Sequence, residues 1–315
     1  MEATLNHDVV AGIDLGSNSF RLLIATRRRG KLVILAKELA TVRLGRGMGE
    51  TRILAAGAIQ RGLDVVRQYR ATMDRFVPGA VRACGTQALR AATNSAEFLL
   101  PASEILGVDI EVISGEQEAR LSLAGVLSSF STRVGSFLVA DVGGGSTEII
   151  FSGEDQLQVN SLPVGAVSLT EFLLSRDTSG PGDLREARRL IREILLPVLP
   201  QGGQIPHLVG SGGTATALAA LSLELPEYDA ERIQGFELKK KELDRLQTML
   251  GHLSTDQRND LPGLDHGRGE IIVGGALIYN ELLDLVHADQ ILISDGGLLE
   301  GIVLSLLPGT QLMNR

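Results

Sequence analysis

The sequence predicts an α/β protein built from two duplicated domains, and three observations lead to this prediction. The segment DLGSNSFRLL at residues 14–23 recurs in kind, without a gap, as DVGGGSTEII at residues 141–150. Each copy opens three strand-like apolar runs, after which helical and strand-like segments alternate. The repeat period of about 127 residues is longer than that of a solenoid and therefore indicates duplicated domains. We expect one domain at residues 1–122, completed by a C-terminal helix at 299–315, and the other at 123–298.

In the first half, turn signals separate three apolar runs and predict an antiparallel meander formed by VVAGID, FRLLIATR and KLVILAKEL. Apolar residues then recur at helical spacing and predict a helix between Ile53 and Phe76. The pattern next predicts, in order, a strand at GAVRACGT, one helix over residues 88–103, a strand at GVDIEVIS and a helix that starts at Gly115 and crosses the domain boundary.

The second half repeats this order with the strand-like runs SFLVADV, TEIIFSG and QLQVNSLPV. Helices are predicted at residues 166–176 and 183–197, before the strand PHLVGSGG and a helix that starts at Thr214. The polar stretch from residue 224 to 265 contains one predicted helix, LKKKELDRLQTMLGHL. The chain closes with a helix at RGEIIVGGALIYNELLDLV, the strand ILISD and the helix GLLEGIVLSLL.

Composition and charge argue against several classes of protein. The net charge of -8, the aromatic content of 3% and the absence of tryptophan disfavour a nucleic-acid-binding surface. No apolar run is long enough to span a bilayer and no secretory signal is visible, so we expect a cytoplasmic protein without a membrane partner. The five histidines lack metal-ligand spacing, and the one cysteine, Cys84, fits a reducing compartment.

The glycine turn of the second copy has the chemistry of a phosphate site. Three successive glycines let the backbone turn tightly and remove every side chain that would keep a ligand at a distance: Gly143, Gly144 and Gly145. The N–H groups of such a turn form an anion-binding nest, to which Ser146 and Thr147 add hydroxyl donors. Asp141 can hold Mg²⁺ directly or through water. A plain hairpin with a solubilising aspartate is the alternative, which the second matched copy disfavours.

The two copies differ in a way that predicts different tasks. Arg21 stands where the second copy has Glu148. The first turn, Ser17-Asn18-Ser19, is polar with an added cation, whereas the second is bare backbone flanked by two carboxylates. We therefore expect the first hairpin to bind phosphate and the second to hold a metal ion with phosphate, which is the arrangement that phosphoryl transfer needs.

A third glycine element, LVGSGGTATAL at residues 208–218, follows a strand-like run and opens a helix. Helix N-termini present backbone amides to anions, so Gly212, Gly213 and Thr214 are further candidate phosphate contacts. A tight strand-to-helix connection explains the same glycines equally well. The element lacks the Gly-Lys-Ser/Thr of the P-loop and the full dinucleotide fingerprint.

Two Asp-Gly hairpins that open duplicated halves resemble the superfamily of actin, the sugar and acetate kinases and the heat-shock ATPases. Four motifs together are similar to those of the exopolyphosphatase and guanosine pentaphosphate phosphatase (Ppx/GppA) family: GIDLGSNSFRLLI, VISGEQEARL, DVGGGSTEII and GSGGTATALAAL. Five further segments follow in the family's order: TVRLGRGM, ACGTQALRAATN, LPVGAVSLTE, HGRGEIIVGGALI and ISDGGLLEGI. The resemblance covers nearly the whole chain. It implies two ribonuclease H-like domains of the actin-like ATPase superfold, with an interdomain cleft, in the short two-domain form.

The resemblance implies that Glu118 is the catalytic base, which deprotonates or orients the attacking water. Neighbouring Glu116 is the rival residue, and a favourable charge at a helix N-terminus is its structural explanation. Gln117 lies between them, where many relatives carry another acid. We expect Glu118, at a helix start beside the cleft, to reach the water.

The resemblance also implies a metal ion, Mg²⁺ or Mn²⁺, held by Asp141 and Glu148, with Asp14 contributing through water. The expected phosphate contacts are Ser17, Asn18, Ser19, Arg21, Arg90, Asn94, Gly143, Gly144, Gly145, Ser146, Thr147, Gly212, Gly213 and Thr214. For Arg90 and Asn94, which match residues that line the family's phosphate channel, a solvated helix face is the alternative. Arg268 falls at a family position without an assigned role.

The expected activity is that of an exopolyphosphatase, which hydrolyses terminal phosphate from inorganic polyphosphate, with guanosine pentaphosphate as a second substrate. A small-molecule kinase of the same superfold is one alternative, although no sugar or acetate site is evident. A regulator that binds guanosine polyphosphates without hydrolysing them is another. Homodimerisation is compatible with the sequence, although no segment specifies it.

Overall fold

The computed structural model describes residues 6–28, 31–130, 136–153, 157–173, 181–200, 207–265 and 267–307. The chain divides into two compact units, Met1–Gly125 with Leu298–Arg315, and Val126–Gly297. Of the expected helices, residues 174–176 and 308–315 lie outside the described part of the chain. No helix within that part combines the length and the apolar character that a membrane crossing requires.

The strands are β1 (Asn6–Leu15), β2 (Ser19–Arg28), β3 (Lys31–Thr41), β4 (Pro78–Gly85), β5 (Ile110–Val112), β6 (Phe137–Val142), β7 (Thr147–Ser152), β8 (Leu157–Leu162), β9 (Leu208–Ser211), β10 (Glu237–Lys239) and β11 (Gln290–Ile293). The α-helices are α1 (Ala56–Phe76), α2 (Gln87–Ala91), α3 (Ala96–Leu106), α4 (Gly115–Ser129), α5 (Ala166–Leu173), α6 (Pro181–Leu195), α7 (Gly212–Ser222), α8 (Ala230–Ile233), α9 (Lys240–His252), α10 (Thr255–Asn259), α11 (Ile272–Val286) and α12 (Leu298–Leu306).

The first unit is built on a sheet with the strand order β3-β2-β1-β4-β5. The meander β1-β2-β3 is antiparallel, and β4 and β5 continue it in parallel with β1. Successive side chains of a strand point to opposite faces, so each face of this sheet can build its own core. Ile13 and Phe20 pack with residues of α1 and α3, and the rings of Phe20 and Phe98 are 5.6 Å apart. Leu23, on the other face, packs with α12.

The second unit repeats this topology. Its strand order is β10-β11-β9-β6-β7-β8, in which β8-β7-β6-β9-β11 corresponds to β3-β2-β1-β4-β5. The pairing directions also correspond, because β6-β7-β8 is an antiparallel meander and β9 and β11 run parallel to β6. The short strand β10 is added at the edge, antiparallel to β11. The predicted α/β duplication is therefore confirmed.

Helix α11 forms the centre of the second unit's core, and its residues from Ile272 to Leu283 are buried. The hydroxyl of Tyr279 lies 2.9 Å from the carbonyl oxygen of Ala140 and 2.8 Å from that of Ser211. A buried tyrosine needs such partners, because its hydroxyl has lost contact with water. This contact ties α11 to β6 and β9, the two strands that precede glycine-rich turns.

The prediction of one helix over residues 88–103 is wrong. Ala92 is extended, with φ -73° and ψ 133°, so α2 ends there and α3 begins only at Ala96. Asn94 explains the break, because its side chain accepts from the Leu54 amide at 2.8 Å and donates to the Leu54 carbonyl at 3.1 Å. A contact with a residue 40 positions earlier is invisible to local periodicity. The short elements β10, α8 and α10 also lie in the stretch for which one helix was expected.

We predict that the stability of the second unit falls at alkaline pH because of Tyr279. Burial raises the pKa of Tyr279 well above its ordinary value, and the charge of Asp141 raises it further. The unfolded phenol ionises near pH 10, so above that pH the unfolded state is favoured by about 1.4 kcal/mol per pH unit. Urea unfolding between pH 8 and pH 11.5 measures this slope. The slope should be smaller in Tyr279→Phe, and equal slopes in both proteins would contradict the assignment.

Candidate functional site

The two hairpins have the same turn geometry. The amide of Gly16 donates to the Ser19 carbonyl at 3.2 Å, and the amide of Gly143 donates to the Ser146 carbonyl at 3.0 Å. These residues are equivalent in the repeat, so the sequence match is also a match of backbone hydrogen bonds. Each turn follows the first strand of its meander and carries the site residues predicted for that half.

In the second hairpin, backbone amides at the start of α5 donate hydrogen bonds to two carbonyls of the glycine turn. The Gly143 carbonyl accepts from the Ala166 amide at 2.9 Å, and the Gly144 carbonyl accepts from Val167 at 2.7 Å and from Ser168. A trans peptide holds its C=O and the following N–H in opposite directions. The N–H groups of Gly144 and Gly145 therefore point away from α5. Two neighbouring amides with this orientation are what an anion-binding nest requires, and anion binding by this turn stays a prediction.

The first hairpin is arranged in the same way. The Ser17 carbonyl accepts from the Gly45 amide at 2.9 Å, and the Asn18 carbonyl accepts from Val42 at 3.0 Å and from Arg43 at 2.7 Å. By the same peptide geometry, the N–H groups of Asn18 and Ser19 point away from the segment that follows β3. Both halves thus use the residues after the third strand to orient the turn.

Several predicted hydroxyl and amide contacts are engaged within the protein. Thr147 donates to the Val164 carbonyl at 2.6 Å, and Thr214 donates to the Val142 carbonyl at 3.1 Å. Ser17 accepts from the Ala88 amide at 3.2 Å and so connects the first turn to α2. The Asn18 side chain donates to the Ser19 hydroxyl at 3.1 Å. The groups of these turns that can donate a hydrogen bond to an anion are therefore mainly backbone N–H groups. Phosphate binding by these side chains, by Asn94 and by the buried Ser146 stays a prediction.

In each hairpin, two charged residues face each other across the first two strands. They carry opposite charges in the first hairpin and like charges in the second. Asp14 faces Arg21 across β1 and β2, and Arg21 Nη1 lies 4.0 Å from Asp14 Oδ2. At the equivalent positions of β6 and β7, Asp141 faces Glu148. Like charges directly opposite in an antiparallel pair repel each other, whereas opposite charges attract. The first pair is therefore stable by itself, while the second favours a cation.

The donor set of the second pair fits a divalent cation with oxygen preference. Asp141 is 9% exposed and Glu148 is 2% exposed, and the Ser161 hydroxyl donates to Glu148 Oε1 at 2.7 Å. Mg²⁺ is usually bound by one or two carboxylates, with waters and substrate phosphates as its other ligands. Within the described residues no cluster of three or more Asp, Glu, His or Cys side chains suits a metal ion. Two carboxylates beside a phosphate nest meet the requirement of Mg²⁺ without such a cluster.

The third glycine element lies directly against Asp141. Helix α7 begins at Gly212 and not at the expected Thr214, so the glycines form its first turn. Gly212 has φ +81°, and a β carbon there would lie 2.2 Å from Asp141 Oδ1. Only glycine allows this approach and this backbone conformation. The N-terminus of α7 and the Asp141 carboxylate therefore belong to one site.

Arg268 is a member of this site to which the sequence alone assigned no role. Its side chain is buried, and a β carbon at Gly213 would lie 2.4 Å from Arg268 Nη1. Arg268 Nη2 also forms an ion pair with Asp265 at 3.3 Å. The guanidinium thus adds positive charge at the first turn of α7. Gly213 and Arg268 are far apart in the chain, so local sequence patterns do not predict their contact. The HGRGE motif is the only sequence signal that points to Arg268.

Glu118 lies in the first unit, in the first turn of α4, and is 8% exposed. Its Oε2 accepts from Arg90 Nη1 at 3.0 Å, and the same nitrogen donates to the Ile113 carbonyl at 2.7 Å. A neighbouring guanidinium stabilises the ionised form of a carboxylate. Two predicted residues, Arg90 and Glu118, are therefore brought together, and the arginine anchors the glutamate.

The two glutamates at the start of α4 have different surroundings. The Ser114 hydroxyl accepts from the Gln117 amide at 3.2 Å, and the Gln117 side chain accepts from the Ser114 amide at 2.8 Å. This reciprocal pair is a capping box, which fixes the first turn of a helix. Glu116 is instead on the exposed side of α4 and pairs with Arg120 at 3.0 Å. The structure thus favours Glu118 over its rival.

Comparison with known proteins is consistent across sequence and structure. The model of the Ppx/GppA phosphatase family matches residues 23–310. Exopolyphosphatase 2 of Mycobacterium tuberculosis is 34% identical over 320 residues, which cover 94% of this chain and 98% of the relative. The guanosine-5'-triphosphate,3'-diphosphate pyrophosphatase of Vibrio cholerae is 30% identical over 308 residues, which cover 98% of this chain and 61% of the relative. A solved structure of the Aquifex aeolicus PPX-GPPA enzyme superimposes with a TM-score of 0.79 at 32% identity, covering 94% of this chain and 99% of that one.

We predict that Gly212→Ala disrupts the anion site, because the added methyl would displace the Asp141 carboxylate. Gly235→Ala is the matched control, since Gly235 has φ +78° but no described atom within 4 Å of a built β carbon. Both variants should lose about 1–2 kcal/mol from the positive φ. Calorimetric titration with orthophosphate and Mg²⁺ should show binding about tenfold weaker or more only in Gly212→Ala. Equal weakening in both variants would contradict the assignment.

Proposed function

Because the chain belongs to the Ppx/GppA phosphatase family, we propose that it hydrolyses the terminal phosphate of inorganic polyphosphate. The chain is a hydrolase of phosphoanhydride bonds, the type of enzyme that both relatives are named for. The nearly full-length match to an exopolyphosphatase supports the proposal of polyphosphate as a substrate. The match to the Vibrio cholerae enzyme, of which this chain spans about three fifths, supports guanosine pentaphosphate as a second one. The observation that carries the proposal is the oriented pair of amides in each glycine turn.

The proposed reaction needs one water molecule and no phosphoryl acceptor. The water oxygen attacks the terminal phosphorus, and the bond from that phosphorus to the bridging oxygen breaks. The products are orthophosphate and a polyphosphate shortened by one residue, which leaves with the bridging oxygen. Glu118 accepts the proton of the attacking water. Such a reaction depends mostly on positioning and on neutralising the charge of the phosphoryl group.

The residues around Glu118 have positioning roles in this proposal. Arg90 donates to the Glu118 carboxylate and so holds it in a fixed position. The capping box of Ser114 and Gln117 fixes the turn of α4 from which Glu118 projects. A general base must first be within reach of the proton it accepts, so these contacts matter as much as its basicity.

The glycine turns and two arginines have binding roles. The N–H groups of Gly144 and Gly145 would donate to phosphate oxygens, and those of Asn18 and Ser19 would do the same in the first hairpin. Arg21 and Arg268 add positive charge, each beside an aspartate that limits its movement. Preorganised donors of this kind stabilise charge without reorganising during the reaction.

A divalent cation, Mg²⁺ or Mn²⁺, would be held by Asp141 and Glu148, and we propose Asp14 as an additional ligand through water. When bound, the cation supplies positive charge to the phosphate oxygens. The two carboxylates would orient it, and its charge would offset their mutual repulsion. The Ser161 hydroxyl holds Glu148 in position for this role.

We also propose the cytoplasm as the location of the protein. The cysteine of the chain, Cys84, is a free and buried thiol, which fits a reducing compartment. Burial raises the pKa of Cys84 to about 12, so the thiol stays protonated and unreactive. Homodimerisation stays a prediction.

Glu118→Gln should lower kcat for orthophosphate release from polyphosphate by about 10²–10⁴-fold, because the amide cannot accept the proton of water. Glu116→Gln is the control, since Glu116 is exposed and lies two residues away on the same helix. Phosphate release is measured colorimetrically with Mg²⁺ present. If Glu118→Gln retains full activity, Glu118 is not the base. If the wild-type protein binds guanosine polyphosphates tightly but releases no phosphate from either substrate, it is a regulator.

Asp141→Asn should raise the Mg²⁺ concentration for half-maximal activity by roughly tenfold or more, because one charged ligand is lost. Glu148→Gln should act in the same direction, and chelation of the metal should abolish activity of the wild type. Glu237→Gln is the matched control, since this carboxylate in the same unit pairs with Lys239 at 3.0 Å. An unchanged Mg²⁺ requirement in Asp141→Asn would exclude this aspartate as a ligand.

A further inference from the structure

Helix α12 touches α4 through its backbone. A β carbon built at Gly301 would lie 1.9 Å from the Leu121 carbonyl oxygen and 2.6 Å from the Leu121 carbonyl carbon. Real β carbons essentially never approach other atoms this closely, and a backbone carbonyl cannot rotate out of the way as a side chain can. Any side chain at Gly301 therefore forces one helix to move relative to the other.

The other side of α12 is fixed to the sheet of the same unit. Val303 packs against β1, where a β carbon at Gly12 would lie 2.7 Å from Val303 Cγ2. Glu300 forms an ion pair with Lys37 of β3 at 3.2 Å. Because α12 lies between the sheet and α4, it has little room to retreat toward the sheet. The displacement caused by a side chain at Gly301 is therefore passed to α4.

Glu118 depends on that same part of α4. It precedes Leu121 by three residues, so the two lie within one turn of each other. The Ile113 carbonyl accepts from the arginine that holds Glu118. Ile113 and Leu121 belong to one buried cluster with Leu298 and Ile302 of α12. Helix α12 thus supports both the helix that carries Glu118 and the segment that anchors Arg90.

We propose that Gly301 is a positioning residue for the hydrolysis, because the close α12–α4 contact that it permits sets the position of the Glu118 carboxylate. The proposal rests on the proposed function of Glu118 as the base. A shift of about 1 Å in a catalytic group lowers a rate by up to about 10²-fold, so a backbone clash at this contact should have a measurable effect on kcat.

The test is a double-mutant cycle of Gly301→Ala and Glu118→Gln, with kcat and KM for polyphosphate measured in all four proteins. Gly301→Ala should lower kcat about tenfold or more with little change in KM. In the Glu118→Gln background, Gly301→Ala should cause no further loss. An equal fold loss in both backgrounds would overturn the proposal, as would an unchanged kcat in Gly301→Ala. Failure of the proposed function is distinct, because Glu118→Gln alone would then keep full activity.

The control is Gly62→Ala in α1, which packs on the opposite face of the sheet and where the added methyl would lie 2.8 Å from the Phe98 ring of α3. It crowds the core of the same unit without touching α4, so it should leave kcat unchanged. If Gly301→Ala does not fold, Ile302→Val replaces it. This variant removes one methylene from the cluster beneath Ile113 and Leu121, and it should lower kcat only where Glu118 is present. A loss of kcat in Gly62→Ala equal to that in Gly301→Ala would mean a general loss of packing and would overturn the proposal.

Discussion

The proposed chemistry depends on one constraint: hydrogen bonds to the carbonyls of each hairpin turn fix the direction of its backbone amides. In each half, amides from the segment after the third strand bond to carbonyls of the hairpin turn. The planar trans peptide then leaves the following amides directed the opposite way. A glycine turn without this support would be mobile, and its amides would have to be ordered when the anion binds. The protein is instead folded with these amides already oriented, which lowers the entropy loss of binding.

The charges around the turns follow from the same duplication. The two meanders place one facing pair at equivalent positions, and the chain fills one pair with Asp14 and Arg21 and the other with Asp141 and Glu148. An ion pair in the first hairpin keeps the cationic side chain of Arg21 beside the turn. Two facing carboxylates in the second create repulsion that the proposed metal ion would relieve. The two hairpins share one fold but differ in their electrostatics, because the second has a glutamate at the position where the first has an arginine.

Glu118 lies outside both hairpins and depends on longer-range contacts. Its orientation comes from a capping box on its own helix, an arginine from α2 and the support of α12 behind α4. The Ser17 hydroxyl also links the first turn to α2, the helix that carries Arg90. Within the first unit, the first hairpin turn and Glu118 are thus connected through one short helix. The expectation that both hairpins face a common cleft stays a prediction.

The sequence by itself determined the local and repeated features of this protein. Strand alternation, turn glycines and the repeat were sufficient to predict both meanders and the duplicated topology, because these features depend on neighbouring residues. Only the tertiary structure decided the break between α2 and α3, the burial of Arg268 against α7, the engagement of the Thr147 hydroxyl and the different surroundings of Glu118 and Glu116. Each of these depends on contacts or burial that the folded chain creates, often between residues far apart in the sequence. Local periodicity and turn propensity carry no information about such contacts, so they become visible only once the chain is folded.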